Sequence, residues 1–351
     1  MLRFALFIHH SNRERKLSLI HLFINLTTMK THFKNLILLC AVILLAGCNL
    51  FDEPEHKDYE SSTALSIFVK DGKVGITSLV STDYRVFTEF WIDSAKTDIE
   101  KLTKLLPAGN YFRTSIDEYY RATTVYKKNT GEVVVYRFPR NYSLHYNNQL
   151  HFYKSTEMSE KDTLIQMDTL AIGAIHAVDA THDEVFTGFF GRESYAEFGV
   201  YMQPTSAFYW DGATNITQLP MPKNYFFFKG VSCIHKSGND VYVGGKMDFP
   251  MYWKNKEMVR LHENYGEVNQ IKTVGEDVFA VGFYNKNNSN STNHIACYWK
   301  NDELVELEDG AIAYSIFISG KDVYVAGAKG RFPAEYKACY WKNGKRVMLR
   351  E

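Results

Sequence analysis

Four stretches of the chain repeat one alternation of apolar runs and polar breaks. Val185-Phe186-Thr187-Gly188, Val241-Tyr242-Val243-Gly244, Val278-Phe279-Ala280-Val281-Gly282 and Val323-Tyr324-Val325-Ala326-Gly327 are β-branched and aromatic runs ending in glycine, each preceded by an acidic residue and a turn. Runs of this length and composition read as β-strands. Downstream of each comes a Tyr-Trp pair, and the tryptophans at 210, 253, 299 and 341 are 43, 46 and 42 residues apart. Each pair is followed by a turn dipeptide: Asp211-Gly212, Asn255-Lys256, Asn301-Asp302 or Asn343-Gly344. Such dipeptides supply the positive φ angles of two-residue hairpins. In the last unit an apolar run, Ile312 to Ile318, precedes the Ser319-Gly320-Lys321-Asp322 turn. The unit is therefore strand, tight turn, strand, variable loop, strand, hairpin, strand. A nearly continuous apolar first strand suits burial on both faces, and the more alternating later strands suit an outer place.

Two degenerate copies extend the series. Ala64 to Val69, Asp71-Gly72, Val74 to Leu79 and Phe90-Trp91 with Asp93 keep the order, and Val133 to Phe138 with Tyr146-Asn147-Asn148 keeps it more loosely. Six units of about 49 residues fill positions 60 to 351, a spacing that points to radial repetition. The expected fold is all-β, a β-propeller of six blades of four antiparallel strands over 61–351. The recurring Trp91, Trp210, Trp253, Trp299 and Trp341 are expected to pack blade against blade. Cys297 and Cys339 share a repeat position with Phe208 and Met251 and read as fillers of an apolar slot. With a first strand at one end and a fourth near Val347 to Leu349, no blade is shared between the termini. Ring closure is then expected to rest on side-chain packing alone.

Trp253-Lys254-Asn255, Trp299-Lys300-Asn301 and Trp341-Lys342-Asn343-Gly344 carry a resemblance. The 61–351 region resembles kelch-like tandem-repeat propellers, and more closely bacterial lipoproteins with repeated YWKNG hairpins. It departs from kelch proteins proper in lacking a Gly-Gly pair in each blade, with only Gly244-Gly245 present, so kelch-type function does not carry over.

Composition supports the strands: aromatic residues make up 15% of the chain, with 23 Tyr and 24 Phe. Overall charge is zero, but residues 1–47 hold six basic residues and one acidic. The remainder has 34 basic against 39 acidic residues, a net charge of −5, which gives no electrostatic ground for nucleic acid as a partner. From Met29, the expected true start, two lysines precede an apolar run from Leu36 to Ala46, the layout of a signal segment. Leu45-Ala46-Gly47-Cys48 resembles a bacterial lipobox, which implies lipid attachment at Cys48 and a membrane as partner. A flexible tether is expected at 48–60, where Asp52, Glu53, Glu55 and Asp58 resemble a surface-export signal. Together these imply an outer-membrane lipoprotein, surface-exposed or, alternatively, facing the periplasm.

The chain carries no Gly-x-Ser-x-Gly, His-Glu-x-x-His or Cys-x-x-Cys string, and neither a metal site nor a cofactor is expected. His176, His182, His235 and His262 read as local structural residues. Ligand contacts are expected where the repeats differ, in the loops between second and third strands. One such loop is Phe189 to Gln203, with Arg192, Glu193, Tyr195, Glu197 and Tyr201; a second is Asn285 to His294. Arg137-Phe138-Pro139-Arg140 and Arg331-Phe332-Pro333, followed by Tyr336, mark two more. Arg140, Arg192, Tyr195, Tyr201, His294, Arg331 and Tyr336 are the candidate ligand-binding residues, for a glycan or protein ligand. The expectation is a binding or assembly module, with no catalytic residue assigned. The alternative, a glycan hydrolase or lyase, needs paired carboxylates or a His/Tyr set at the propeller axis.

Overall fold

The computed structural model describes residues 61–82, 86–114, 120–139, 150–156, 162–166, 173–181, 183–196, 199–221, 230–287, 293–330 and 336–349. Six antiparallel sheets form a ring. Blade I holds β1 (Ser61–Lys70), β2 (Lys73–Ser81), β3 (Val86–Ile92) and β4 (Ala95–Thr97). A helix, α1 (Ile99–Leu105), leads into the sheet of blade II: β5 (Asn110–Thr114), β6 (Tyr120–Lys127), β7 (Val133–Pro139), β8 (His151–Ser155) and β9 (Thr163–Gln166). Blade III is β10 (Gly173–Asp179), β11 (Val185–Ala196), β12 (Gly199–Trp210) and β13 (Ile216–Gln218), and blade IV is β14 (Gly230–Ser237), β15 (Asp240–Lys246), β16 (Pro250–Lys254) and β17 (Glu257–Arg260). Blade V comprises β18 (Gly266–Val274), β19 (Asp277–Asn285), β20 (His294–Lys300) and β21 (Glu303–Asp309). Blade VI comprises β22 (Ala311–Ser319), β23 (Asp322–Lys329), β24 (Lys337–Lys342) and β25 (Lys345–Met348).

The repeated residues have separate structural jobs. Asn255, Asn301 and Asn343 adopt left-handed φ values of 55°, 49° and 50°, which Asn tolerates better than most side chains. Each lies across from the start of its blade's second strand. Its Oδ1 accepts from the backbone N–H of Val241, Val278 or Val323, at 2.9 Å in all three cases. Its Nδ2 donates to Asp240, Asp277 or Asp322 at 2.9, 2.7 and 2.8 Å. The preceding lysine reaches the same aspartate, with Lys300 2.8 Å from Asp277, and lies over the aromatic ring that follows it. In blades IV to VI the acidic residue before the Val-aromatic run and the Lys-Asn after the Trp are thus one clasp between two turns.

In blades III to VI the glycine of the Val-aromatic run answers a β-bulge on the first strand. Pairing slips by one residue at Leu65, His176, Ser232, Asn269 and Tyr314, and in β6 at Arg121. The bulged backbone leaves no room opposite: a Cβ on Gly327 would fall 2.1 Å from the Ile312 carbonyl oxygen.

Each tryptophan is buried against the preceding blade. Trp253 packs with Ala177, Ala207 and Leu219 of blade III and its surroundings, Trp299 with Cys233 and Tyr242 of blade IV, and Trp341 with Val281 and Ala296 of blade V. Trp210 meets Phe152 of blade II, and Trp91 shares a core with Tyr324 and Ala338 of blade VI. Cys297 and Cys339 are fully buried, as are Phe208 and Met251 in the same slot. Burial pushes the Cys339 thiol up to about 12.

Two expectations need correction. Blades I and VI do not meet through side-chain packing alone: the Ser62 N–H donates to the Tyr336 carbonyl at 2.7 Å, and Ser62 Oγ accepts from the Ala338 N–H at 2.9 Å. Phe189 to Gln203 is not a loop, because β11 and β12 continue through its described residues, with one register shift between Phe190 and Gly191, pairing Arg192 with Gln203 and Tyr195 with Val200. The backbone hydrogen bonds of this segment go into a hairpin ladder.

β5 departs from the repeat. β6 to β9 supply the regular four strands of blade II, and β5 adds a fifth at the inner edge, antiparallel to β6. Asp98 caps α1, its Oδ1 accepting from the Lys101 N–H at 2.8 Å. Leu102 and Leu106 bury with Phe68, Phe112, Val125 and Val135, which seats the helix and β5 between blades I and II.

Candidate functional site

With strand alternation, Phe112 faces this core while Tyr111 and Arg113 point the other way, into the axis. Two cavities lie along that axis and share Tyr111 and Ile234 in their walls. The upper one, about 210 Å³, is lined by all five bulge residues whose side chains are described: Leu65, His176, Ser232, Asn269 and Tyr314. β5 contributes Tyr111, Arg113 and Thr114 to the same wall. A bulge re-aims a side chain that regular pleating would turn into a blade interface, and repetition turns five bulges into a ring.

β5 is held on several sides. The Arg113 N–H donates to Ser66 Oγ at 2.8 Å, and its carbonyl accepts from Thr77 Oγ1 at 2.6 Å. Across the axis, Gln270 Nε2 donates to the Tyr111 hydroxyl at 2.7 Å, and Gln270 Oε1 accepts from the Ile316 N–H at 2.6 Å. The Arg113 guanidinium makes one long contact to the Ser232 carbonyl, 3.4 Å. Among the described residues no carboxylate pairs with it, and none lines the upper cavity. Burial raises the phenols of Tyr111 and Tyr314 above their usual range, so both remain hydroxyl donors. The upper wall thus offers a guanidinium, two phenols, a serine, an amide and an imidazole, a set suited to an anionic, hydroxyl-rich ligand.

The lower cavity, about 250 Å³, has different chemistry. Asp179, His235, Lys272 and Thr273 line it with Asn110, Thr181 and Phe317. Asp179 Oδ2 accepts from His235 Nδ1 and from the Lys236 N–H, both at 2.8 Å, and its Oδ1 accepts from the Tyr126 hydroxyl at 3.0 Å. Burial opposes its ionisation, but the bonds from His235, Thr181 and Lys236 outweigh burial and hold the carboxyl below the usual carboxylate range. Burial lowers the Lys272 ammonium to about 8; its Nζ donates to Asn110 Oδ1 at 2.6 Å. His235 is therefore not a lone histidine: its carboxylate partner lies in the neighbouring blade.

The sequence-derived candidates fall elsewhere. Arg140, Arg331 and Cys48 lie outside the described residues, as do the signal segment, the tether, His182 and Tyr146-Asn147-Asn148. Arg192, Tyr195 and Tyr201 belong to the β11–β12 hairpin. His294 opens β20, its Nδ1 2.6 Å from Asn285 Oδ1 and its ring against Phe283. Tyr336 is buried with Phe283, Ile312 and Ala328, in a cluster that includes Tyr314, so it supports the cavity wall from behind. Arg113 and the bulge residues Leu65, Ser232, Asn269 and Tyr314 went unnoticed in the sequence, and His176 was read as a local structural residue. The signal of the bulge residues was a position next to the first-strand core that changes chemistry from blade to blade; Arg113, on β5, had no such signal.

No protein-family model and no curated protein matches the chain. Solved propeller structures do. Trypanosoma rangeli sialidase in complex with sialic acid is similar at 10% identity and a TM-score of 0.41, over 82% of this chain and 54% of that one. This chain thus spans about half the sialidase's length. The computationally designed Ika8 protein gives 11% identity and a TM-score of 0.38 over 77% of this chain and 94% of that one. Phage phi92 endosialidase gives 11% and 0.33, over 85% of this chain and 59% of that one.

Proposed function

We propose that the protein is a lipid-anchored envelope protein that binds an acidic glycan through the upper axial cavity, non-enzymatically. Arg113 carries this reading: a half-buried guanidinium that lacks a carboxylate partner among the described residues, in a wall of neutral hydrogen-bond donors and acceptors. Leaving a desolvated charge unpaired is costly, so an incoming carboxylate would recover energy there. Cys48 would hold the propeller at the outer membrane, and 48–60 would serve as its tether. Calorimetric titration with oligogalacturonate tests the reading, with neutral malto-oligosaccharide as control. Binding of the acidic oligomer alone, weakened at least tenfold in Arg113→Met and by added salt, is the expected result. Equal affinity for both oligomers, or no effect of Arg113→Met, overturns it.

A second reading, lyase chemistry on the same glycan, has one observation in its favour: His176 and Tyr314 both line the cavity. The raised Tyr314 phenol favours a donor over a base, leaving His176 as the base. Release of unsaturated, ultraviolet-absorbing ends from oligogalacturonate would decide for it.

A further inference from the structure

The lower cavity contains a connected chain of three side chains from three successive blades. Asp179 ends β10, His235 lies near the end of β14, and Thr273 lies near the end of β18. Asp179 Oδ2 is 2.8 Å from His235 Nδ1, and His235 Nε2 is 2.9 Å from Thr273 Oγ1. The roles follow from charge. An ionised carboxylate can only accept, so Nδ1 carries a ring hydrogen; whenever the ring is neutral, Nε2 is the acceptor and the Thr273 hydroxyl donates to it. Asp179 is itself fixed by the Lys236 N–H, the Thr181 N–H and the Tyr126 hydroxyl, so the imidazole is held in one orientation. A hydroxyl donating to a base that a buried carboxylate orients is the arrangement by which alcohol side chains become nucleophiles.

A clasp between blades needs only these bonds. Here the chain also borders a cavity of about 250 Å³, which His235 and Thr273 both line. The Lys272 amine stands in the same wall, bonded to a neutral amide. That volume suits a small acyl group.

We propose that Asp179, His235 and Thr273 form a nucleophilic relay that hydrolyses short-chain acyl esters in the lower axial cavity. Thr273 Oγ1 attacks the ester carbonyl carbon while His235 Nε2 takes its proton. The tetrahedral adduct collapses, the bond to the alcohol oxygen breaks, and His235 returns the proton to release the alcohol. Water then attacks the Thr273 acyl ester, with His235 again taking and returning a proton, and carboxylic acid leaves as Thr273 regains its hydroxyl. Lys272 lines the same cavity, and its ammonium adds positive potential there that favours a developing oxyanion. This activity is independent of the ligand proposed for the upper cavity.

The test is covalent labelling of the full chain with 4-nitrophenyl acetate, followed by peptide mass mapping after acid quench. The expected result is an acetyl group on Thr273 that hydroxylamine removes, as it removes esters and not amides. Thr273→Ser retains the adduct, and Thr273→Val, close in shape, loses it. His235→Gln lowers the labelling rate by roughly a hundredfold or more, the share general-base help supplies. Melting curves and circular dichroism verify that the variants fold, and labelling of the unaltered chain decides the matter if one does not. An unlabelled Thr273 in the unaltered chain, or an adduct confined to Lys272 and resistant to hydroxylamine, overturns the proposal.

Discussion

At the residue scale the tryptophans and their neighbouring lysines have very different energetic weight, although both recur in the repeat. Trp253 is fully buried and donates from Nε1 to the Pro220 carbonyl at 2.9 Å, so Trp253→Ala should cost about 3–5 kcal/mol. Lys254 and Asp240 remain 45% and 38% exposed, and solvent screens such a pair, so Lys254→Ala should cost under about 1 kcal/mol. Urea unfolding of the two variants checks the contrast. The sequence made the tryptophans legible because burial of a large ring tolerates little drift. It hid the axial place of the bulge residues for the opposite reason: Leu65, His176, Ser232, Asn269 and Tyr314 face a cavity, where no shared neighbour imposes one side chain.

Among elements, the regular blades could be read and the insertion could not. A two-residue hairpin demands residues that accept positive φ, so Asn301-Asp302, at 49° and 67°, marks its turn in the sequence itself. β5 is five residues long and has no repeated copy, so neither periodicity nor spacing singled it out. Its attachment is nevertheless specific. Phe112 is fully buried in the core between blades I and II, and Phe112→Ala should cost about 3–5 kcal/mol. Native-state hydrogen exchange provides the check: the amides of β5 should lose protection well before those of β19 or β23, because β5 has a strand partner on one side only and those two are paired on both. The extended β11–β12 hairpin was misread as a loop because its polar residues looked like turn composition, whereas ladder pairing satisfies the backbones of Arg192 to Tyr195 whatever the side chains.

For the whole molecule, Asp179 is the most deeply buried of several carboxyls through which acid acts. Its folded carboxyl titrates below its unfolded value of about 3.9, so its contribution to stability is fully present above that value and is lost as pH falls through the folded one. Thermal melts between pH 6 and 3 should therefore show a falling midpoint, and Asp179→Asn should flatten that fall while lowering the midpoint at pH 6. Equal slopes for the two proteins would remove Asp179 from the acid response. The ring itself was legible because blade spacing is a property of the whole chain; its axial contents depend on which residue each bulge turns inward, and that is a matter of register.

The seam between blades I and VI has a consequence for how such a ring can change. Because each end of the propeller completes its own sheet, and a few bonds at Ser62 bridge the gap, the boundaries away from the α1–β5 insertion, like that seam, separate one complete sheet from the next. New chain ends can be cut at another boundary and the old ones joined by a linker without dividing any sheet, and a duplicated segment of one unit's length would add an intact wedge.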